Sequence, residues 1–316
     1  MVLLGATIFL ILVGIFAGPT GATFGDTFDG LLLSGDGLMG TIVWDIRIPR
    51  IVVSLLVGGC LGLAGVLIQL STRSPLGDPN LFGIGGGAAI FLASVAAGIL
   101  SFAQMGVFVG CIISSVIIAL LLARLVSTAD LTPVKLAIMG IAVGALTVAI
   151  GTSVISHGRV FPTQVIGLVA GSFTASSWSV VYYLLPTLIV CLGIAIIFSP
   201  RFYPIMLGDS LSRSLGVNPL RTRAITMGLV GILSGASVYA GGLIGFVGLM
   251  SPHIARKVLG NAPAHLVIGS TLIGALTTIF ADQVARLLFA PIELPVGMAT
   301  TVIGAPMMMY LALKMK

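Results

Sequence analysis

The sequence predicts an all-α polytopic membrane protein of about ten transmembrane helices, forming a single transmembrane domain over residues 1–316. Of the 316 residues, 58% are hydrophobic and 8% are charged, whereas soluble domains carry about 25% charged residues. The 42 glycines follow no collagen-like period and indicate helices that pack closely through small residues in lipid. A net charge of +6 on so apolar a chain excludes a nucleic-acid-binding face.

Ten apolar runs approach the length of about 20 residues that a membrane-spanning helix requires. Charges, proline clusters or polar turns separate them, and in chain order they cover residues 1–18, 51–70, 81–100, 105–123, 136–155, 178–198, 224–243, 244–259, 264–285 and 296–313. The first run has no Lys or Arg before it, so it lacks the start of a cleaved signal peptide and is expected to be a retained helix. The loops leave no room for a separate soluble domain.

The distribution of Lys and Arg predicts the orientation, because cytoplasmic loops of membrane proteins carry an excess of positive residues. An even number of spans places both termini on one side. The loops after spans two, four, six and eight, with the C-terminus, hold eleven cations: Arg73, Arg124, Lys135, Arg201, Arg213, Arg221, Arg223, Arg256, Lys257, Lys314 and Lys316. The opposite side holds four: Arg47, Arg50, Arg159 and Arg286. Both termini are therefore expected in the cytoplasm.

Several kinds of chemistry are absent from the sequence. None of the four lysines follows a glycine, so the chain has no P-loop for ATP. An ion-coupled carrier usually places ionisable residues near the midplane, and only Asp282 approaches that description, although it sits near a helix end. This disfavours an ion-coupled secondary transporter. The sequence has no HExxH or GxSxG motif and no Cys/His cluster for a metal, so we expect no enzyme and no resident metal. Any energy for transport is expected to come from a partner.

Three segments stand out at the membrane surfaces. R-I-P-R at residues 47–50 opens the second span from outside and carries two guanidinium groups. These arginines either anchor the helix at the membrane interface or have a functional role. S-P-L-G-D-P-N-L-F-G at residues 74–83 forms an inner turn. In the inner loop, about residues 199–223, Leu207, Leu211 and Leu215 recur at i, i+4 and i+8. This spacing predicts one apolar face of a short helix, which docks on a soluble partner or packs on the membrane.

Together these segments resemble the FecCD family of permeases, the membrane subunits of type II ABC importers for iron-siderophores, haem and vitamin B12. The resemblance extends through G-F-V-G-L-M-S-P-H-I-A-R at residues 245–256, A-D-Q-V-A-R at 281–286, E-L-P-V-G at 293–297 and I-G-A-P at 303–306. The resemblance covers nearly the whole chain, and the motifs occur in the same order as in the family. Ser74 departs from the family, which more often has Asn there, and the N-terminus is short.

The resemblance implies the type II ABC importer permease fold in a bacterial or archaeal cytoplasmic (inner) membrane. It implies a second permease subunit, as a homodimer or as a heterodimer with a paralogue, two cytoplasmic ATPase subunits and an external substrate-binding protein. ATP and Mg would be bound by the ATPase subunits, and this chain would hold no cofactor. Binding-protein docking maps to Arg47, Arg50 and Arg286. ATPase coupling maps to Leu207, Gly208, Asp209, Leu211, Leu215, Gly216 and Val217.

In the family the pathway is lined largely by helices five and ten. Span five carries Gly140, Gly144, Thr147 and Gly151 at i, i+4, i+7 and i+11, which is one small-residue face. This face lines the translocation path or packs closely on another helix. His157, just beyond the span, could contact a metal chelate or haem, and an ordinary interfacial role is the alternative.

These observations predict a permease that moves a ferric siderophore or similar iron chelate into the cytoplasm, by alternating access driven by the partner ATPase. Haem and cobalamin are the nearest alternative substrates. An ion-coupled secondary transporter is the alternative of a different class.

The orientation makes a direct prediction about labelling. In a variant without Cys60, Cys111 and Cys191, a cysteine at Ser210 should be shielded from an impermeant thiol reagent added outside whole cells. A cysteine at Gly35 should react, because it lies on the opposite side. Thiol labelling of the two variants, with permeabilised cells as the control, checks this, and the reverse pattern would contradict the orientation.

Overall fold

The computed structural model describes residues 2–16, 24–32, 38–128, 133–157, 162–288, 290 and 292–314, and these fold into helices joined by turns. Gly35 and Arg159, used in the predictions above, lie outside the described residues. The helices are α1 (Val2–Phe16), α2 (Phe24–Leu32), α3 (Leu38–Thr41), α4 (Ile48–Thr72), α5 (Ile84–Ala96), α6 (Gln104–Thr128), α7 (Pro133–His157), α8 (Pro162–Ala170), α9 (Trp178–Phe198), α10 (Phe202–Leu207), α11 (Asp209–Ser214), α12 (Pro219–Gly241), α13 (Val247–Leu259), α14 (Pro263–Leu287) and α15 (Val296–Lys314).

Each of the ten predicted spans coincides with a helix, and the chain is an all-helical membrane protein. Within the residues that the structure describes, six helical segments are long and apolar enough to cross a membrane: Leu38–Thr72, Gln104–Leu125, Ile138–Ser156, Trp178–Leu207, Pro219–Gly241 and Pro263–Leu287. The other four predicted spans correspond to α1, α5, α13 and α15. The second span was predicted too short, because a π-helical turn, Ile42–Arg47, joins α3 to α4 without a break.

Two of the predicted spans are shorter than expected, since α5 and α13 have only 13 residues each. The third run was predicted to begin at residue 81 and the eighth at residue 244. Instead the residue before each helix, Gly83 (φ 71°) and Phe246 (φ 67°), has a left-handed backbone. A left-handed residue cannot continue a right-handed helix, so both helices begin three residues later than predicted.

Helix α4 forms the centre of the molecule, and nearly all its residues are buried by α9, α12, α13 and α14. Its packing on α14 depends on glycine. A Cβ added to Gly274 of α14 would lie 2.9 Å from the Cα of Gly62 in α4, closer than real Cβ contacts. The glycines therefore have the role predicted from the sequence, which is close helix packing. They let two membrane helices approach each other backbone to backbone.

Residues 74–83 turn back from the end of α4 into the protein. Arg73, with a left-handed backbone, ends α4, and the segment then reaches the middle of α7. There a Cβ on Gly83 would lie 2.7 Å from the backbone nitrogen of Gly144. Helix α5 therefore begins inside the protein rather than at its surface.

The inner loop is not the single helix that the leucine spacing predicted. It holds two six-residue helices, α10 and α11, separated by Gly208 with φ 124° and ψ 157°. Only glycine adopts this backbone readily, so Leu207 lies on a different helix from Leu211, and Leu215 follows the end of α11. All three leucines are exposed, by 65%, 46% and 57% respectively.

Candidate functional site

A cavity of 460 Å³ opens where α5, α13 and α15 begin. Its walls are mostly glycine and apolar side chains, and a few polar side chains face it. The polar lining residues are Asp78, Asn80, Thr147 and Thr301. Met298 and Val302 also line it while remaining 52% and 73% exposed, so the cavity opens to the outside of this chain.

The turn of residues 74–83 forms one wall of the cavity through local hydrogen bonds. Asp78 Oδ1 accepts hydrogen bonds from the backbone N–H groups of Asn80 at 2.9 Å and Leu81 at 3.1 Å. Asn80 Nδ2 donates to the carbonyl of Ile244 at 2.7 Å. These bonds tie the turn to the segment that precedes α13, while Asp78 Oδ2 and Asn80 Oδ1 are buried without a hydrogen-bond partner in the described residues. Sequence reasoning quoted this motif but did not name Asp78 or Asn80 as site residues.

The small-residue face of α7 packs against residues 81–90. A Cβ on Gly140 would collide with Phe82, and one on Gly144 would lie 3.0 Å from the Leu81 carbonyl oxygen. Thr147 sits against Gly86, and the nearest neighbour of Gly151 is Ile90. The close-packing role therefore describes Gly140, Gly144 and Thr147, whereas Gly151 has room for a Cβ. Gly144 and Thr147 also line the cavity. Their part in a translocation path stays a prediction.

The predicted substrate contact at His157 cannot be placed. This residue is the last of α7, and its side chain lies outside the described part of the chain. Its role also stays a prediction.

Three helices present their N-terminal ends to the cavity. The lining includes Gly86 in the first turn of α5, Phe246 just before α13, and Gly297 in the first turn of α15. A helix N-terminus carries a partial positive charge, and discontinuous membrane helices use such ends towards anionic substrate groups. Phe246, whose backbone is left-handed, packs against Gly304. A Cβ added to Gly304 would lie within 3 Å of the Phe246 ring.

The three outer arginines that the structure describes are buried rather than exposed. Arg47, Arg50 and Arg286 are only 4%, 7% and 4% exposed. Arg50 pairs with Asp282 of α14 at 2.8 Å and with Glu293, just before α15, at 2.9 Å. It therefore joins three parts of the chain at one guanidinium group.

The other two outer arginines hold α1. Arg47 donates to the carbonyl of Ile15 at 2.7 Å, and Arg286 donates to the carbonyl of Gly14 at 2.9 Å. Helix carbonyls and carboxylates of the same chain therefore bind all three guanidinium groups. Docking of a binding protein at Arg47, Arg50 and Arg286 stays a prediction.

A second charge cluster anchors the inner loop. Asp209, the first residue of α11, accepts hydrogen bonds from Arg223 of α12 at 2.8 and 2.9 Å and from Arg73. Burial alone would raise the pKa of Asp209, but the hydrogen bonds and charges of Arg223 and Arg73 hold the pKa below its ordinary value. These ion pairs are therefore intact at neutral pH and are lost only as pH falls through that lowered pKa.

Comparison with known proteins places these features in context. Residues 6–314 match the FecCD transport family. The chain is 34% identical to the Fe(3+)-citrate import system permease protein YfmD of Bacillus subtilis (strain 168) over 297 residues, which cover 88% of this chain and 86% of that protein. It is 32% identical to the Fe(3+) dicitrate transport system permease protein FecD of Escherichia coli (strain K12) over 277 residues, 87% of this chain and 86% of that one.

The fold has a solved counterpart. A metal-chelate type ABC transporter in an inward-facing conformation superposes with a TM-score of 0.83 and 25% sequence identity, over 99% of this chain and 98% of that chain. The cavity and both charge clusters lie within the residues that match the family.

The Arg50 cluster predicts an unequal effect of two similar substitutions. Asp282→Asn should destabilise the protein by about 3 to 5 kcal/mol, because it leaves a buried guanidinium without its buried partner. Glu293→Gln should cost much less, because that carboxylate side chain is 29% exposed and water can compensate. Thermal unfolding of both purified variants in detergent checks this. Equal loss of stability would contradict the assignment of Asp282 as the principal partner.

Proposed function

The chain belongs to the FecCD transport family, and from this membership we propose that it translocates a ferric siderophore or a similar iron chelate into the cytoplasm. It is a membrane permease of an iron-chelate ABC importer and not an enzyme. In the proposal, alternating access opens the cavity first outward and then inward. ATP hydrolysis by two partner subunits drives the cycle, and those subunits hold ATP and Mg.

The cavity at the starts of α5, α13 and α15 is the observation that carries this proposal. Its volume of 460 Å³ falls within the range of about 300 to 1,000 Å³ typical of small-molecule sites. Three helix N-termini favour negatively charged oxygen atoms, which citrate and many iron chelators carry. The iron-citrate relatives favour such a cargo over haem or cobalamin.

A second permease subunit completes the path in this proposal, either an identical copy or a paralogue. Met298 and Val302 line the cavity but are largely exposed on this chain. A facing subunit would cover these side chains and close the path from lipid. An external binding protein delivers the chelate, and the membrane is the cytoplasmic membrane of a bacterium or an archaeon with both termini inside.

The inner loop provides a physical route from the ATPase to the cavity. Exposed Leu207, Leu211 and Leu215 form the proposed docking surface. Asp209, within this surface, is held by Arg73, and Arg73 immediately precedes the turn of residues 74–83. A displacement of α11 would therefore pull on the turn that forms a cavity wall. Gly208, Gly216 and Val217 lie on the same loop and shape it.

Reconstituted transport tests the cargo. In proteoliposomes with the ATPase and the binding protein, ATP-dependent uptake of ferric citrate or a ferric siderophore is expected. Thr301→Phe should reduce uptake about tenfold or more, because a bulky ring enters a site of small-molecule size. Ile189→Phe on α9 is the control and should transport normally, because Ile189 is 59% exposed and does not line the cavity. Uptake of haem or cobalamin alone, or equal uptake by both variants, would contradict the proposal.

Docking of the ATPase makes a separate prediction. Leu211→Asp with Leu215→Asp should abolish co-purification of the ATPase, because two charges replace an apolar contact surface. Ser210→Asp with Ser214→Asp adds the same charge to the same short helix without removing a leucine, so association should largely persist. Pull-down through a tag on the permease measures both. Normal association of the leucine variant would exclude this surface as the docking site.

A further inference from the structure

Two arginines at one end of the membrane-spanning helices share a cavity and have no carboxylate partner. Arg201 follows α9, and Arg221 lies in the first turn of α12. Both line a cavity of 390 Å³ whose floor includes Phe198, Val217 and Ile225. In the described part of the chain neither guanidinium forms an ion pair, and Asp209, on the same loop, is bound by Arg73 and Arg223.

The position of this cavity along the helices corresponds to the headgroup layer of a membrane. Helix α9 has 21 residues, and at 1.5 Å per residue it spans about 31 Å, matching a hydrocarbon core of about 30 Å. Phe198 at its end therefore lies where hydrocarbon gives way to headgroups. Arg201 comes three residues later and holds its guanidinium carbon 4.2 Å above the Phe198 ring.

An apolar groove lies on the other side of the same turns of α12. It is lined by Ile117, Leu120, Leu121 and Leu125 of α6 and by Leu220 and Ala224 of α12, with Arg124 beside them. Leu220 and Arg221 are consecutive, as are Ala224 and Ile225, so the groove and the cationic cavity flank one stretch of helix. An apolar groove lined by exposed leucines beside a cationic cavity matches the two chemical halves of a phospholipid.

We propose that Arg201 and Arg221 bind the phosphate headgroup of an anionic phospholipid, whose acyl chains follow the groove between α6 and α12. Basic pockets at the cytoplasmic ends of membrane helices attract anionic headgroups, and a guanidinium group forms paired hydrogen bonds to phosphate oxygens. The site is separate from the transport cavity. Leu207, Leu211 and Leu215 do not line it, whereas Gly216 and Val217, which the family resemblance assigns to ATPase coupling, do.

Lipid retention tests this proposal. The purified full-length protein is relipidated with phosphatidylglycerol or with phosphatidylcholine, stripped by detergent washing, and examined by native mass spectrometry. The wild type should retain phosphatidylglycerol in preference to phosphatidylcholine. Arg201→Gln with Arg221→Gln should weaken retention about 30-fold, since each arginine near an anionic surface contributes about fivefold. Both lipids are supplied to the whole protein, so the result does not depend on membrane orientation or on transport.

Matched variants separate this site from other cationic surfaces. Arg213→Gln removes an exposed arginine of the same inner region that does not line the cavity, and retention should be unchanged. Arg201→Lys with Arg221→Lys keeps both charges and should retain most of the lipid, which guards against misfolding of the glutamine variant.

Three results would overturn the proposal. The first is equal loss of phosphatidylglycerol in the double glutamine variant and in Arg213→Gln. The second is displacement of the lipid by millimolar inorganic phosphate, which would show a phosphate site rather than a lipid site. The third is normal lipid retention by the double glutamine variant, and a simultaneous loss of the ATPase would assign the cavity to the protein interface.

Discussion

The arrangement of the helices depends on a buried charge that has to be neutralised within the chain. Arg50 is 7% exposed, and an unpaired guanidinium at such a place would cost several kcal/mol. Asp282 and Glu293 supply the opposite charge from α14 and from the segment before α15. Glu293 lies just before α15, which forms part of the cavity wall. Its ion pair with Arg50 therefore fixes where α15 begins. At the other end of α4, Arg73 binds Asp209, so one helix is held by ion pairs at both ends.

Between these two clusters, the cavity exists because two helices begin inside the protein. Gly83 and Phe246 have left-handed backbones, so α5 and α13 start at the cavity and leave their N-terminal ends facing it. The polar groups exposed by such breaks need partners in the absence of water. Asp78 and Asn80 provide them by binding backbone groups of their own turn and of residue 244. The close approach of Gly83 to Gly144 leaves no room for side chains there.

The two membrane surfaces use arginine in different ways. The outer arginines Arg47, Arg50 and Arg286 form hydrogen bonds and ion pairs within the chain. On the side predicted to be cytoplasmic, Arg73 and Arg223 hold Asp209, whereas Arg201 and Arg221 have no carboxylate partner in the described residues. The Lys and Arg count that predicts orientation therefore includes arginines that fix helices against each other and arginines that the proposed lipid site would use.

The helical class, the positions of ten apolar helices and the family all followed from the sequence, because apolar length and ordered motifs are local properties of the chain. The shortening of α5 and α13, the break at Gly208 and the burial of the outer arginines did not. Arg50 looks like an interfacial cation until Asp282 and Glu293, more than 230 residues away, are folded against it. Likewise, the sequence of the small-residue face of α7 does not show which segment packs against that face. Only the tertiary structure decided these features, because each depends on which distant group fills the space beside a residue.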